Sequence, residues 1–305
     1  MRIVYLGTPD FSVLPLKKLV ENGYNVIAVV SNKDKPVGRK QILTSPPVKV
    51  YAESQNIPVF QYDKIRLEGV KDLQELKPDL MITCAFGQIL SQEILDIPRL
   101  GVINIHASLL PAYRGASPIH YAILNGEKTT GITIMKTDIG VDTGDIISQK
   151  AIEINDDETC GQLFERLSQV GADLIIETLP TILNGSAKFV KQDNGKASHT
   201  KVIKKEQAII NWSDSAENIN NKIRAFNPAP VAFCYFENNP FKIYSARVVE
   251  VSGEAGVVLR ADKELIIGCG DNALSLLTVQ KAGGKPMNIQ DFLRGNKFSV
   301  GDKFE

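Results

Sequence analysis

Short apolar runs alternate with helix-length amphipathic stretches through the first half of this chain, and that alternation leaves few architectures open. Residues 2–6, 25–30, 80–85, 102–105, 131–135 and 145–154 read as strands, and helical spacing marks 11–22, 46–55, 116–124 and 158–183. A strand that feeds a helix and then a parallel strand must cross over the sheet. The rhythm therefore predicts an α/β fold, a Rossmann-like and mostly parallel sheet with helices on both faces. Asp10, at the end of the first turn Gly7-Thr8-Pro9-Asp10, is placed to cap the first helix. The turn is not a G-x-G-x-x-G: Pro9 and Phe11 stand where a dinucleotide pyrophosphate needs bare backbone. The topology survives that observation, but nicotinamide chemistry does not. A Walker phosphate loop is missing as well.

After Gly185 the pattern changes. Residues 188–205 carry six lysines against the single acid Asp193 and few large apolar side chains, as a connector would. A helical stretch at 215–226 and the breaker Asn227-Pro228-Ala229-Pro230 follow. Close-spaced β-like runs at 232–236, 241–251, 256–259, 264–268 and 273–279 then suggest a small barrel or sandwich. The expected division is a catalytic domain over 1–188, a basic linker over 189–205 and a smaller domain over 206–305.

Composition excludes rather than assigns. Lys plus Arg and Asp plus Glu balance at 35 each, so overall charge announces no nucleic-acid partner. Charge is local instead: from 33 to 49, Lys33, Lys35, Arg39, Lys40 and Lys49 face only Asp34. Cys84, Cys160, Cys234 and Cys269 are widely spaced and form no C-x-x-C pair, which suits a reducing cytosol and offers no zinc motif. The N-terminus enters a strand-like run at once, without a signal-peptide pattern, and no stretch approaches the ~20 apolar residues of a membrane span. A cytoplasmic protein without a metal is expected, with neither DNA nor membrane among its partners.

The chemistry-bearing residues cluster after 101. Val102 to Ile105 is an apolar run interrupted by Asn104 and followed by His106 and a loop bearing Pro111 and Gly115. Residues two apart in a strand share a face, so Asn104 and His106 emerge side by side at a strand end, where open α/β sheets place their sites. An amide can stabilise an oxyanion and an imidazole can move a proton near neutral pH, a combination suited to acyl chemistry. A single strand-end histidine is ordinarily structural; the neighbouring amide shifts the reading. Asp138-Ile139-Gly140-Val141-Asp142-Thr143-Gly144-Asp145 supplies a carboxylate, Asp142, that could orient His106. A calcium loop would need Glu at the position Gln149 occupies. Arg39 with Lys40, and Lys204 with Lys205, read from charge alone as solvated loops.

These residues resemble the methionyl-tRNA formyltransferases nearly end to end. The resemblance rests on Gly7-Thr8-Pro9-Asp10-Phe11, Asn104-x-His106, Ser108-Leu109-Leu110-Pro111, Arg114-Gly115 and Asp142-Thr143-Gly144-Asp145. Arg224-Ala225-Phe226-Asn227-Pro228 and Gln290-Asp291-Phe292-Leu293-Arg294-Gly295 extend it into the second half, with Ala229 standing where an aromatic is common. The resemblance implies transfer of a formyl group from N10-formyltetrahydrofolate to the methionine amine of initiator methionyl-tRNA. It implies Asn104, His106 and Asp142 as catalytic residues and a folate site including Ser108, Leu109, Leu110 and Pro111. It further implies a C-terminal OB-like barrel and an inserted loop that brings Arg39 and Lys40 to the tRNA; Lys204 and Lys205 are expected to add tRNA contacts, and a monomer is expected. The competing reading is a folate-dependent formyltransferase for an amino-sugar nucleotide or other small amine, which would share the same trio. A non-enzymatic RNA-binding protein would have no need of that trio.

Overall fold

The computed structural model describes every residue except Arg39, and the chain divides into two units. The first comprises Met1–Gly115, Thr130–Ile152 and Phe164–Thr200; the second comprises Ala116–Thr129, Glu153–Leu163 and Lys201–Glu305. Among the described residues no helix is long and apolar enough to cross a membrane.

Strands of the first unit are β1 Ile3–Gly7, β2 Val26–Ser31, β3 Lys35–Val37, β4 Ile42–Thr44, β5 Val59–Gln61, β6 Leu80–Cys84, β7 Val102–His106, β8 Arg114–Gly115, β9 Thr129–Lys136, β10 Ile146–Glu153 and β11 His199–Thr200. Seven of them make one sheet in the order β10-β9-β7-β6-β1-β2-β5. From β5 to β7 every neighbour is parallel, as the strand–helix rhythm predicts, and β9 then runs antiparallel to β7. Both faces of the parallel part are covered. Val4, Leu6, Ala28, Val30, Met81 and Val102 pack with Ile65 and Leu73 in one core. Ile3 and Tyr5 point the opposite way on β1 and are fully buried too.

Two local expectations change. Pro9, not Asp10, takes the N-cap position, because Asp10 already starts a 3₁₀ turn, Asp10–Ser12, that runs into helix Val13–Glu21. Pro15 is tolerated there because the first helical turn needs no donor from it. Moreover, part of the basic stretch read as a linker is bonded into the first unit. β11 pairs in parallel with β8, and Val190 exchanges both backbone hydrogen bonds with Ile146 at 2.8 Å.

In the second unit, β12 Ala232–Phe236, β13 Asn239–Val249, β14 Val258–Ala261, β15 Leu265–Gly268 and β16 Ala273–Lys281 form an antiparallel sheet ordered β12-β13-β16-β15-β14, with β17 Met287–Asn288 on β16. The last residues join its two edges. Glu305 exchanges backbone hydrogen bonds with Tyr235 of β12, and Phe304 N donates to Gly256 O beside β14. Phe304 is buried among Phe236, Phe241 and Trp212, so the closure is also a packed core. Arg224, in helix Ala216–Ala225, donates to the carbonyl oxygen of Glu158 at 3.0 Å, and Gly161 N donates to Asn227 O. Those bonds explain why 153–163 belongs to this unit.

Candidate active site

The end of β7 carries the two residues singled out from the sequence. Asn104 and His106 share a face, as the strand period requires, and register sets their neighbours: Thr83 of β6 lies opposite Asn104, and Thr133 of β9 opposite His106. Thr83 Oγ1 donates to Asn104 Oδ1 at 2.9 Å. That bond turns the amide so that Nδ2, with two hydrogens, faces outward. Nδ2 lies 3.4 Å from Asp142 Oδ1, so one hydrogen points toward the carboxylate and the other is left for a ligand oxygen.

His106 is 6% exposed. Its Nε2 lies 3.0 Å from the carbonyl oxygen of Tyr113. A carbonyl only accepts, so Nε2 carries a hydrogen, and Nδ1 is the nitrogen facing Asp142 Oδ2 at 3.6 Å. That distance is too long for a hydrogen bond and short enough for ion pairing when the ring is charged. The same Oδ2 accepts the backbone N–H of Gly115 at 2.8 Å. The trio therefore converges, with one carboxylate oxygen toward the amide and the other toward the imidazole.

Asp142 reaches this position through a strained turn. Its φ is +53°, and Tyr113, whose carbonyl oxygen faces His106 Nε2, sits at +62°. Left-handed backbone at non-glycine residues costs about 1–3 kcal/mol each and persists only where neighbours impose it. Asp138 Oδ1 helps by accepting Gly140 N at 3.1 Å and Thr143 Oγ1 at 2.6 Å. Gly144 presses so closely on the carbonyl oxygen of Lys136 that no side chain fits between them.

The segment expected to hold folate forms the wall beside β7. Ser108 is 1% exposed, and its hydroxyl donates to Ala112 O at 2.7 Å, fastening the turn. Leu110 is buried, its N–H bonded to Thr133 Oγ1 and its carbonyl accepting Gln149 Nε2 at 2.9 Å. Leu109 and Pro111 are half-buried. Gln149, the residue that argued against a calcium loop, is thus a strand residue that braces this wall.

The expected tRNA contacts are on the surface. Lys40 is exposed in the turn of the β3–β4 hairpin, whose strands also expose Val37, Ile42 and Leu43. Lys204 and Lys205 are exposed at the start of the second unit's first 3₁₀ turn. Arg39, expected beside Lys40, lies outside the described residues. The hairpin's base is tied down by Asp34, which accepts Lys49 Nζ at 2.9 Å and Gln61 Nε2 at 2.9 Å. Those bonds hold its carboxyl well below the usual range, at about 2.

Sequence reasoning missed Thr83, the Tyr113 carbonyl and Gln192. The first two follow from register and loop geometry. Gln192, whose amide donates to the carbonyl oxygens of Asp142 and Gly144, lies in a stretch whose lysines dominate its two neutral amides, Gln192 and Asn194.

Residues 1–179 match a family described as formyl transferase, and residues 202–297 match the formyl transferase C-terminal domain. Methionyl-tRNA formyltransferase of Bacillus velezensis is 46% identical over 306 residues, covering 99% of this chain and 96% of its own. Its counterpart in Ruminiclostridium cellulolyticum is 41% identical, covering 99% of both. Among solved structures, the sugar 3N-formyl transferase WlaRD, determined in the presence of dTDP and 5-N-formyl-THF, is 25% identical with a TM-score of 0.68, over 93% of this chain and 99% of that one.

Proposed function

The chain belongs to the methionyl-tRNA formyltransferase family, and on that premise we propose that it transfers the formyl group of N10-formyltetrahydrofolate to the α-amino group of methionine on initiator methionyl-tRNA. Full-length likeness to the Bacillus enzyme carries the acceptor assignment. The formyl-folate carried by the solved sugar formyltransferase supports the donor class. Initiator tRNA is a substrate of the translating cytoplasm, and we place the enzyme there.

In the proposed reaction, the free amine attacks the formyl carbon and gives a tetrahedral intermediate with one negative oxygen. Asn104 Nδ2 donates its second hydrogen to that oxygen, a contribution worth ~10²–10³ in rate. The C–N bond to the folate nitrogen then breaks. The proton lost by the amine passes through the His106–Asp142 pair to the departing nitrogen, and general acid–base help of this kind is worth ~10²–10⁴. Asp142, its Oδ2 3.6 Å from Nδ1, orients the ring. The wall of Ser108, Leu109, Leu110 and Pro111 borders the donor's place. Lys40, Lys204 and Lys205 take tRNA phosphates, and their exposure and charge support that role; Arg39 joins them on its charge and its place in the sequence beside Lys40.

The test is acceptor discrimination. With 10-formyltetrahydrofolate as donor, charged initiator tRNA should be formylated, and charged elongator tRNA and a dTDP-amino sugar should not. Transfer to the sugar with neither tRNA accepting would replace this reading by the small-amine one.

A further inference from the structure

We infer that Gln192 is a positioning residue for the reaction, the keystone of a strap, residues 190–200, that fixes the two groups flanking His106, the Tyr113 carbonyl and the Asp142 carboxylate. The inference rests on the assignment of Asn104, His106 and Asp142 given above and adds a residue that the assignment lacks.

Each flanking group is tied to the strap. On the carboxylate side, Gln192 Nε2 donates to the carbonyl oxygens of Asp142 at 2.9 Å and of Gly144 at 2.7 Å. Both amide hydrogens are thereby committed to the turn that presents Asp142. On the carbonyl side, Tyr113 N donates to Ser198 Oγ at 2.8 Å, and Arg114 N donates to Ser198 O at 2.8 Å. Thr200 Oγ1 donates to Arg114 O at 3.1 Å.

Arg114 joins the two halves. It is 4% exposed; its Nε donates to Gln192 Oε1 at 3.0 Å and its Nη2 to Asn194 Oδ1 at 2.9 Å. Because guanidinium is only a donor, it forces Oε1 toward itself and Nε2 toward the Asp142 turn. The amide cannot flip without losing three bonds. Tyr113 and Asp142 both hold left-handed backbone, which tyrosine adopts rarely and aspartate more readily. A strap 50 and more residues further along the chain supplies the restraint. Its effect is to set where the Asp142 carboxylate stands against Nδ1.

Gln192→Glu separates the bonds. The new carboxylate still accepts from Arg114 but turns an acceptor toward two carbonyl oxygens, so only the clamp on the Asp142 turn is lost. Gln192→Met, of similar length, removes every bond. Formyl transfer to charged initiator tRNA is measured for both, alone and in an Asp142→Ala background. The expected result is a kcat for Gln192→Glu lowered by about 10–100-fold, the scale of an ångström-level misplacement, with KM for tRNA within twofold. In the Asp142→Ala background the same change should lower kcat by less than about twofold, since coupled residues are non-additive. Wild-type kcat in Gln192→Glu would overturn the inference, as would an equal fold loss in both backgrounds. Loss of folded protein in both Gln192 variants would overturn it too, making Gln192 a determinant of the fold. Near-normal turnover in Asp142→Ala alone would instead defeat the underlying trio.

Discussion

At the scale of single residues, the site depends on bonds that settle orientation. Thr83 decides which way the Asn104 amide points, and the Tyr113 carbonyl decides which imidazole nitrogen faces the carboxylate. Asp34 works the same way at a distance, holding the root of the basic hairpin through Gln61, Lys49 and Ser45. Those partners lower its carboxyl pKa from 3.8 to about 2 in the fold, Gln61 contributing most. A folded pKa below the unfolded one stabilises above the unfolded value and fades as pH falls through the folded one. Asp34→Asn should therefore lower the unfolding midpoint at pH 7, with the gap to wild type closing between pH 3.8 and about 2. A gap independent of pH in a thermal melt series would show that the ionised Asp34 carboxylate, with its Gln61 and Lys49 partners, contributes nothing.

At the scale of elements, legibility followed physical cause. Fully buried parallel strands such as β1 and β6 are continuous apolar runs and could be read directly. The pairing of Asn104 with His106 followed from strand period alone. Three-residue strands could not be read: β3, β4 and β5 take their identity from partners, not from any periodicity of their own. The stretch 190–200 looked like a connector because its side chains are polar, yet it is held by backbone and amide bonds that leave no apolar signature. Gly144 is required by a close approach that only the fold shows, to the carbonyl oxygen of Lys136. Gly144→Ala must push that turn outward and carry Asp142 with it. The expected outcome is a kcat lower by about 10²-fold with KM for folate little changed, measured by steady-state formyl transfer. Unaltered kcat would mean the turn relaxes without moving the carboxylate.

At the scale of the molecule, two cores of different construction share one chain that crosses between them more than once. The first is a twisted, mostly parallel sheet whose strand ends present the trio. The second is an antiparallel sheet whose edges are joined by residues 302–305 and whose interior is dense in phenylalanine. The family match spans both, and the reaction proposed above uses the trio of the first. The most direct measurement is the single-turnover rate of formyl transfer, at saturating folate and initiator methionyl-tRNA, for Asn104→Ala, His106→Ala and Asp142→Ala beside equilibrium binding of the same tRNA. Each variant is expected to be slower by at least about 10²-fold while tRNA affinity stays within about twofold. A His106→Ala enzyme as fast as wild type, or one slowed only as far as its tRNA binding is weakened, would contradict the account.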